Sequence, residues 1–179
     1  MNPTLEKVSE RLSELLHTTA VASGSPLPVA ARAAAGPIPT LTPASPPPGP
    51  VQSVPHAQKG YDLNVAVPPG QVVLAAEILD REGFGLDAVT GVDWLAQDEM
   101  EVVYDYFHPT ASARVTVRTR IPRSAPELPT ISAVFPGANW HERETHDFFG
   151  IRFLGHPNLA PFLLPEDADF HPLRKDYQP

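Results

Sequence analysis

The chain predicts an α+β domain, a mostly antiparallel sheet with helices packed on one face, followed by an extended C-terminal arm. Three observations carry this. ARVTVRTRI (113–121) alternates cleanly, and the link HPTAS to the preceding EVVYDYFH is short enough that the two strands form an antiparallel hairpin. A single helical stripe over 70–82 stands among strand-like segments, giving the order β-α-β-β-β instead of a regular alternation. After Gly150 the chain stays rich in large apolar residues yet carries five prolines, which neither a helix nor a central strand accepts.

From the N-terminus, Leu5, Val8, Leu12, Leu15 and Leu16 recur at helical spacing behind Thr4 as N-cap, so a short helix is expected to end near residue 17. At about 12–15 residues such a helix is at the edge of independent stability and needs a surface to form against. Ten of the 23 prolines fall between Val21 and Gly60. Residues 18–58 therefore read as a Pro/Ala-rich linker, extended or disordered; the flanking basic residues of an SH3 ligand are missing. The folded core is expected over 59–149. YDLNVAV (61–67) is a strand ended by Pro68, Val72, Val73, Ala76, Ile78 and Leu79 line a helix closed by Gly83, and GLDAVTGVDWLA is a strand with a bulge expected at Gly91. Val102, Tyr104 and Tyr106 share one face of the next strand, and Val115, Val117, Thr119 and Ile121 one face of the last. The opposite face of that strand carries Arg114, Arg118 and Arg120, which suits a solvated sheet face. A second helix should run from Pro136 to Asp147.

The arm, 150–179, holds Ile151, Phe153, Leu154, Leu159, Phe162, Leu163, Leu164, Phe170 and Leu173, unlike a disordered tail. Ordering it costs about 1–2 kcal/mol per residue in backbone entropy. A domain this small offers little room to repay that, so the arm is expected to lie over another protein.

Composition excludes several function classes. The net charge of −8 and pI near 5.3 disfavour nucleic acid as a partner. No apolar run approaches the roughly 18 residues a membrane span needs, and the charged N-terminus lacks a signal-peptide core, so a cytoplasmic site is expected. With no cysteine the chain offers no disulfide, thiolate zinc site, thiolate-held cluster or thiol nucleophile. No G-x-S-x-G, Walker or G-x-G-x-x-G loop occurs. WHERETHDFFG (140–150) suggests the zinc motif H-E-x-x-H, but His141 and His146 are five apart, about 140° around a helix, and cannot share one ion. Glu142/Glu144 and Asp167/Asp169 lie two apart, the wrong spacing for paired carboxylates on one helix face. A histidine-based metallohydrolase is thus the weaker reading, as is a free-standing scaffold that recruits through its Pro-rich linker.

The residues that remain form two dense motifs. Trp140, Glu142, Arg143, Glu144, Asp147, Phe149, Gly150, Ile151, Phe153, Gly155, His156 and Pro157 match W-x-E-R-E-x-x-D-x-F-G-I-x-F-x-G-H-P, and Pro172, Leu173, Arg174, Lys175, Asp176 and Tyr177 match P-L-R-K-D-Y. In this the chain, over about 60–179, resembles the 30-kilodalton, or C-type, subunit of proton-pumping NADH–quinone oxidoreductase, respiratory complex I. One departure is Ala160-Pro161, where the family usually carries two arginines. The resemblance implies a non-catalytic α+β subunit of the peripheral arm with no cofactor of its own; iron–sulfur clusters, flavin and quinone would sit in neighbouring subunits. It implies docking beside the 49-kilodalton, or D-type, large subunit near the quinone module, with other peripheral-arm subunits around it, on the cytoplasmic face of the plasma membrane. The same domain also occurs in energy-converting membrane-bound hydrogenases. On this basis Glu142, Arg143 and Glu144 are expected to cap the last helix or bridge it to the arm and partner, with Arg143 a buried bidentate ion-pair donor, and Arg174, Lys175 and Asp176 to anchor the arm's end. Asp147, Gly150, His156, Pro157 and Tyr177 complete the candidate set.

Overall fold

A computed structural model describes residues 2–20 and 50–178; the greater part of the expected linker, 21–49, lies outside the described residues. Helix α1, Pro3–Ala20, extends three residues past the expected end. It is not marginal in its setting, because Leu5, Val8 and Leu12 are buried in the common core and Glu82 holds both Lys7 (2.8 Å) and Arg11 (2.6 Å). The Asn2 amide donates to the Ala111 carbonyl and the Gln71 amide to that of Leu15, fixing both ends of the helix to the domain.

The last residues assigned to the linker are ordered: β1, Val51–Ser53, and the single turn α2, His56–Lys59, which begins inside that range. A three-residue strand bracketed by Pro50 and Pro55 shows no alternation to read, and prolines are tolerated here because β1 is an edge strand. Next come β2, Leu63–Ala66, a 3₁₀ turn at Pro69–Gln71, α3, Val72–Arg81, then β3, Gly85–Trp94, β4, Glu99–His108, and β5, Ala113–Pro122. The five strands lie in the order β1-β2-β5-β4-β3; every neighbour is antiparallel except β2 and β5. The register slips between Leu86 and Ala88, not at Gly91. Gly91 serves close approach instead: a Cβ there would stand 2.5 Å from the Phe149 ring.

The helices cover one face. Val65, Val102, Tyr104, Val115 and Val117 pack with Val72, Ala76 and Leu79 of α3 and with α1. On the open face the arginines of β5 are matched by neighbours: Arg114 by Asp87 (2.8 Å), Arg118 by the Asn64 amide oxygen (2.9 Å), and Arg120 by Glu99 (2.9 Å) while lying over Trp94. This self-neutralising row fits the solvated-face reading.

Two short strands were not legible. β6, Glu127–Pro129, pairs in parallel with β7, Arg152–Leu154, so regular structure continues past Gly150. Ile151 and Phe153 enter the core, correcting the expectation that the arm's apolar residues lack room there. Helix α4, Ala138–Phe149, begins and ends two residues later than expected, closing on Gly150 at φ +72°, whose N–H reaches the His146 carbonyl (2.8 Å). No helix among the described residues is long and apolar enough to cross a membrane.

Candidate partner-binding site

Helix α4 divides the motif residues among three surroundings. Ala138, Glu142 and Thr145 face the core. Glu142 is fully enclosed: Oε1 accepts the Ile131 N–H (2.9 Å) and Oε2 the Thr130 hydroxyl (2.5 Å). The His156 ring lies 3.9 Å from Oε2. Burial pushes the Glu142 carboxyl up to about 7, against the opposing pull of its two donors. His156 accepts the Asn158 N–H at Nδ1 (3.1 Å), which leaves Nε2 to donate to the Asn139 carbonyl (3.2 Å); burial lowers its pKa. Glu142 therefore does not cap α4. It fastens the turn before the helix, beside the residue that follows β7. Pro157 lies in the turn after β7, exposed.

The second side of α4 holds the arm by its backbone. Asp147 Oδ2 accepts the N–H groups of Phe162 (2.8 Å), Leu163 (2.6 Å) and Leu164 (3.2 Å). Burial raises its pKa, but the three amides outweigh that and hold the carboxyl below its ordinary range. Arg143 donates from Nε to the Ala160 carbonyl (2.9 Å) and from Nη2 to that of Pro161 (2.8 Å), and its guanidinium covers the Trp140 and Phe162 rings. It is half-buried and bonded to carbonyls, not a buried ion-pair donor as expected. The reason is local: the segment it faces offers no carboxylate, only the free carbonyls of the residues that replace the usual arginine pair. The His171 ring meets the Asp147 carbonyl (2.8 Å), Arg174 Nε donates to Phe149 O (2.8 Å), and the Leu173 N–H to Phe148 O (3.1 Å). Gly150 is required beneath them, since a Cβ would collide with the His171 and Arg174 side chains.

The end of the arm is latched to the sheet by two residues that sequence reasoning missed. Asp93, buried on β3, accepts Arg123 Nε (2.9 Å) and the Lys175 backbone N–H (2.8 Å), and Arg123 also pairs with Asp176. Burial opposes ionisation of Asp93, but these partners bring its pKa below the ordinary value. Lys175 thus anchors through its amide, while its ammonium lies 5.9 Å over Trp94. Tyr177 stacks on Phe170 (5.6 Å). The detectable signal was an acidic residue at an inward position of a strand, in phase with Val89 and Gly91.

The third side of α4 is open. His141, Glu144 and Phe148 face β3 across a groove of about 370 Å³ that Leu173 also lines. Glu144 bridges nothing among the described residues, and no three potential metal ligands converge there. His141 and His146 are apart, as the helix geometry requires: His141 lines the groove and the His146 ring meets the Ile151 carbonyl (2.9 Å).

Anchoring by backbone leaves the arm's large side chains outward. Phe162, Leu163, Phe170 and Leu173 are exposed, and Phe162 packs on Trp140 (5.1 Å), itself 55% exposed. A surface of this kind marks an interaction site. Residues 65–179 match the family model described as "Respiratory-chain NADH dehydrogenase, 30 Kd subunit". The chain belongs to that family. Among its relatives, the C-type subunit of the NADH-quinone oxidoreductase of Roseiflexus sp. (strain RS-1) is 42% identical over 121 residues, 64% of this chain and 69% of that one. The C-type subunit of the F(420)H(2) dehydrogenase of Methanosarcina mazei is 43% identical over 97 residues, 52% and 60% of the two chains. Among solved structures, a chain of an archaeal respiratory complex, the membrane-bound sulfane sulfur reductase, superposes with a TM-score of 0.64 at 27% identity, covering 73% of this chain and 78% of that one. The match begins within β2, so α1 and β1 lie outside the family model although α1 is built into the core.

Proposed function

We propose that this chain is a non-catalytic subunit of the peripheral arm of a proton-pumping NADH–quinone oxidoreductase. It docks by α4 and the C-terminal arm on the 49-kilodalton-type large subunit, beside the quinone module, and contributes to electron transfer from NADH to quinone by holding that module together. One observation carries the reading: the motif residues of the family spend their polar groups on fixing the arm's backbone, which turns a row of apolar side chains outward where no element among the described residues covers them. Catalysis does not need such a surface and association does. The iron–sulfur clusters, flavin and quinone belong to neighbouring subunits in this reading, and the chain stays on the cytoplasmic face of the plasma membrane through them.

A second reading keeps the structural role and changes the machine: the corresponding subunit of a membrane-bound hydrogenase-type complex. It is favoured by the likeness to subunits of complexes whose names specify F(420)H(2) and sulfane sulfur. Purification of the native complex through a tag on this chain, with identification of each subunit, separates the two. Flavin- and NADH-handling subunits beside the large subunit are expected; a nickel hydrogenase set would establish the second reading, and recovery of the chain alone from intact membranes would overturn both.

A further inference from the structure

Within the arm, the turn Pro165–Ala168 lies in sequence between two exposed aromatic residues, Phe162, which packs on Trp140, and Phe170, which stacks on the half-buried Tyr177. It carries Glu166 and Asp167, with Asp169 directly after it, all exposed. Among the described residues none of the three makes an ion pair or a side-chain hydrogen bond, whereas the neighbouring carboxylates of Asp93, Asp147 and Asp176 are all engaged in holding the arm. The basic groups of the same surface keep their charge but are turned elsewhere, Lys175 lying over Trp94. Arg143 is turned onto the carbonyls of Ala160 and Pro161, Arg174 onto that of Phe149, and Arg123 onto Asp93 and Asp176. The docking face is therefore an apolar ridge beside an acidic turn whose three carboxylates pair with none of these bases.

We propose that the arm's partner is a protein surface with an apolar groove rimmed by lysine and arginine, which seats Phe162, Leu163 and Phe170 and meets Glu166, Asp167 and Asp169 at its rim. The inference rests on the reading of the chain as a docked subunit and adds the chemistry of the receptor. Charge complementarity selects this occupant. A second copy would bring acidic turn against acidic turn, on a chain whose net charge is already −8. Rim charges of this kind act chiefly on encounter rate and on choice of partner, and they weaken with salt.

The test uses the full-length chain, tagged, in the cells that make it, with the complex extracted from membranes and its subunits identified. The triple variant Glu166→Lys, Asp167→Lys, Asp169→Lys is compared with Glu10→Lys, Glu14→Lys, Asp80→Lys, which changes net charge equally on α1 and α3. Recovery of the large subunit is expected to fall by about tenfold or more with the arm variant in about 0.15 M salt and to hold with the other, since like-charge contacts at a rim reject a partner. The neutral set Glu166→Gln, Asp167→Asn, Asp169→Asn should give an intermediate loss, which keeps the test valid should the lysine set misfold. Wild-type recovery from the arm variants, or recovery of the chain only with copies of itself, would overturn the proposal. Leu163→Asp tells the two failures apart. If it abolishes recovery while charge reversal does not, the arm docks but its receptor is not basic; if neither matters, the docked-subunit reading fails as well.

Discussion

Two ends of this domain are held together in opposite ways. At the α1 end, Leu5, Val8 and Leu12 disappear into the core against α3 and the sheet, and the polar contacts around them are few. At the arm end, beyond residue 160, Phe162, Leu163, Phe170 and Leu173 point outward and the chain is pinned by its amides and carbonyls to Asp147, Arg143, Arg174, His171 and Asp93. Burial of apolar groups yields large, non-directional stabilisation. Backbone anchors yield about 1–3 kcal/mol each when a charge is involved, but they fix where every side chain of the segment faces. The first device suits a part that only has to stay folded, and the second suits a part that has to present a surface.

The largest expected effect breaks the first device. Leu12 is fully buried, so Leu12→Ala should cost about 2–5 kcal/mol through lost transfer energy and a residual cavity. Urea unfolding of the isolated chain reads this directly. A loss under about 0.5 kcal/mol, the range of surface substitutions, would mean that α1 is a detachable accessory and that the domain is complete without it.

How far this was legible in the sequence follows the same division. Periodicity located α1, α3 and the β4–β5 hairpin, because each has enough residues for a repeat to show and one buried face to impose it; α4 was placed from Pro136 near its start. Strands of three residues, β1, β6 and β7, have no period to find; pairing creates them, β1 with β2 and β6 with β7 across the whole of α4. The motif residues were identified correctly as a group but not in their bonding. Arg143 was expected to face a carboxylate and faces carbonyls, and Asp93 and Arg123 were overlooked, since nothing in the order of residues tells that β3 ends beside residue 175.

Glu142 sharpens the comparison by belonging to both devices: it is a charged anchor placed inside the core. Its folded-state carboxyl titrates near 7 against an ordinary 4.5, so the folded state holds a proton that the unfolded state has released between those values. The contribution of Glu142 to stability should be fully present below about pH 4.5, fall as pH rises, and level off above about 7, with a total change of about 3 kcal/mol at one pH unit per 1.36 kcal/mol. Glu142→Gln keeps an acceptor for the Ile131 N–H and removes the titration. Relative to wild type it should therefore gain stability between about pH 5 and 7 and level off by pH 8. Urea melts across that range check it, and parallel wild-type and variant curves would show that Glu142 stays ionised in the folded chain.

The smallest effect on global stability should come with the largest effect on the arm. Asp147→Asn leaves the shape of α4 intact but replaces one charged acceptor of three amides with a neutral one, a loss of about 1–3 kcal/mol concentrated on residues 162–164. Because the core of Val8, Leu79, Tyr104 and Val117 does not depend on that contact, the melting transition should hardly move while hydrogen exchange at Phe162, Leu163 and Leu164 quickens by about tenfold or more. The pH dependence has the opposite sign to that of Glu142: the anchor is present above the ordinary carboxylate range and is released only as pH falls through the depressed value. If Asp147→Asn instead lowered the melting transition as much as Leu12→Ala, the arm would be part of the cooperative core, and the separation between a buried end and a presented end would not hold.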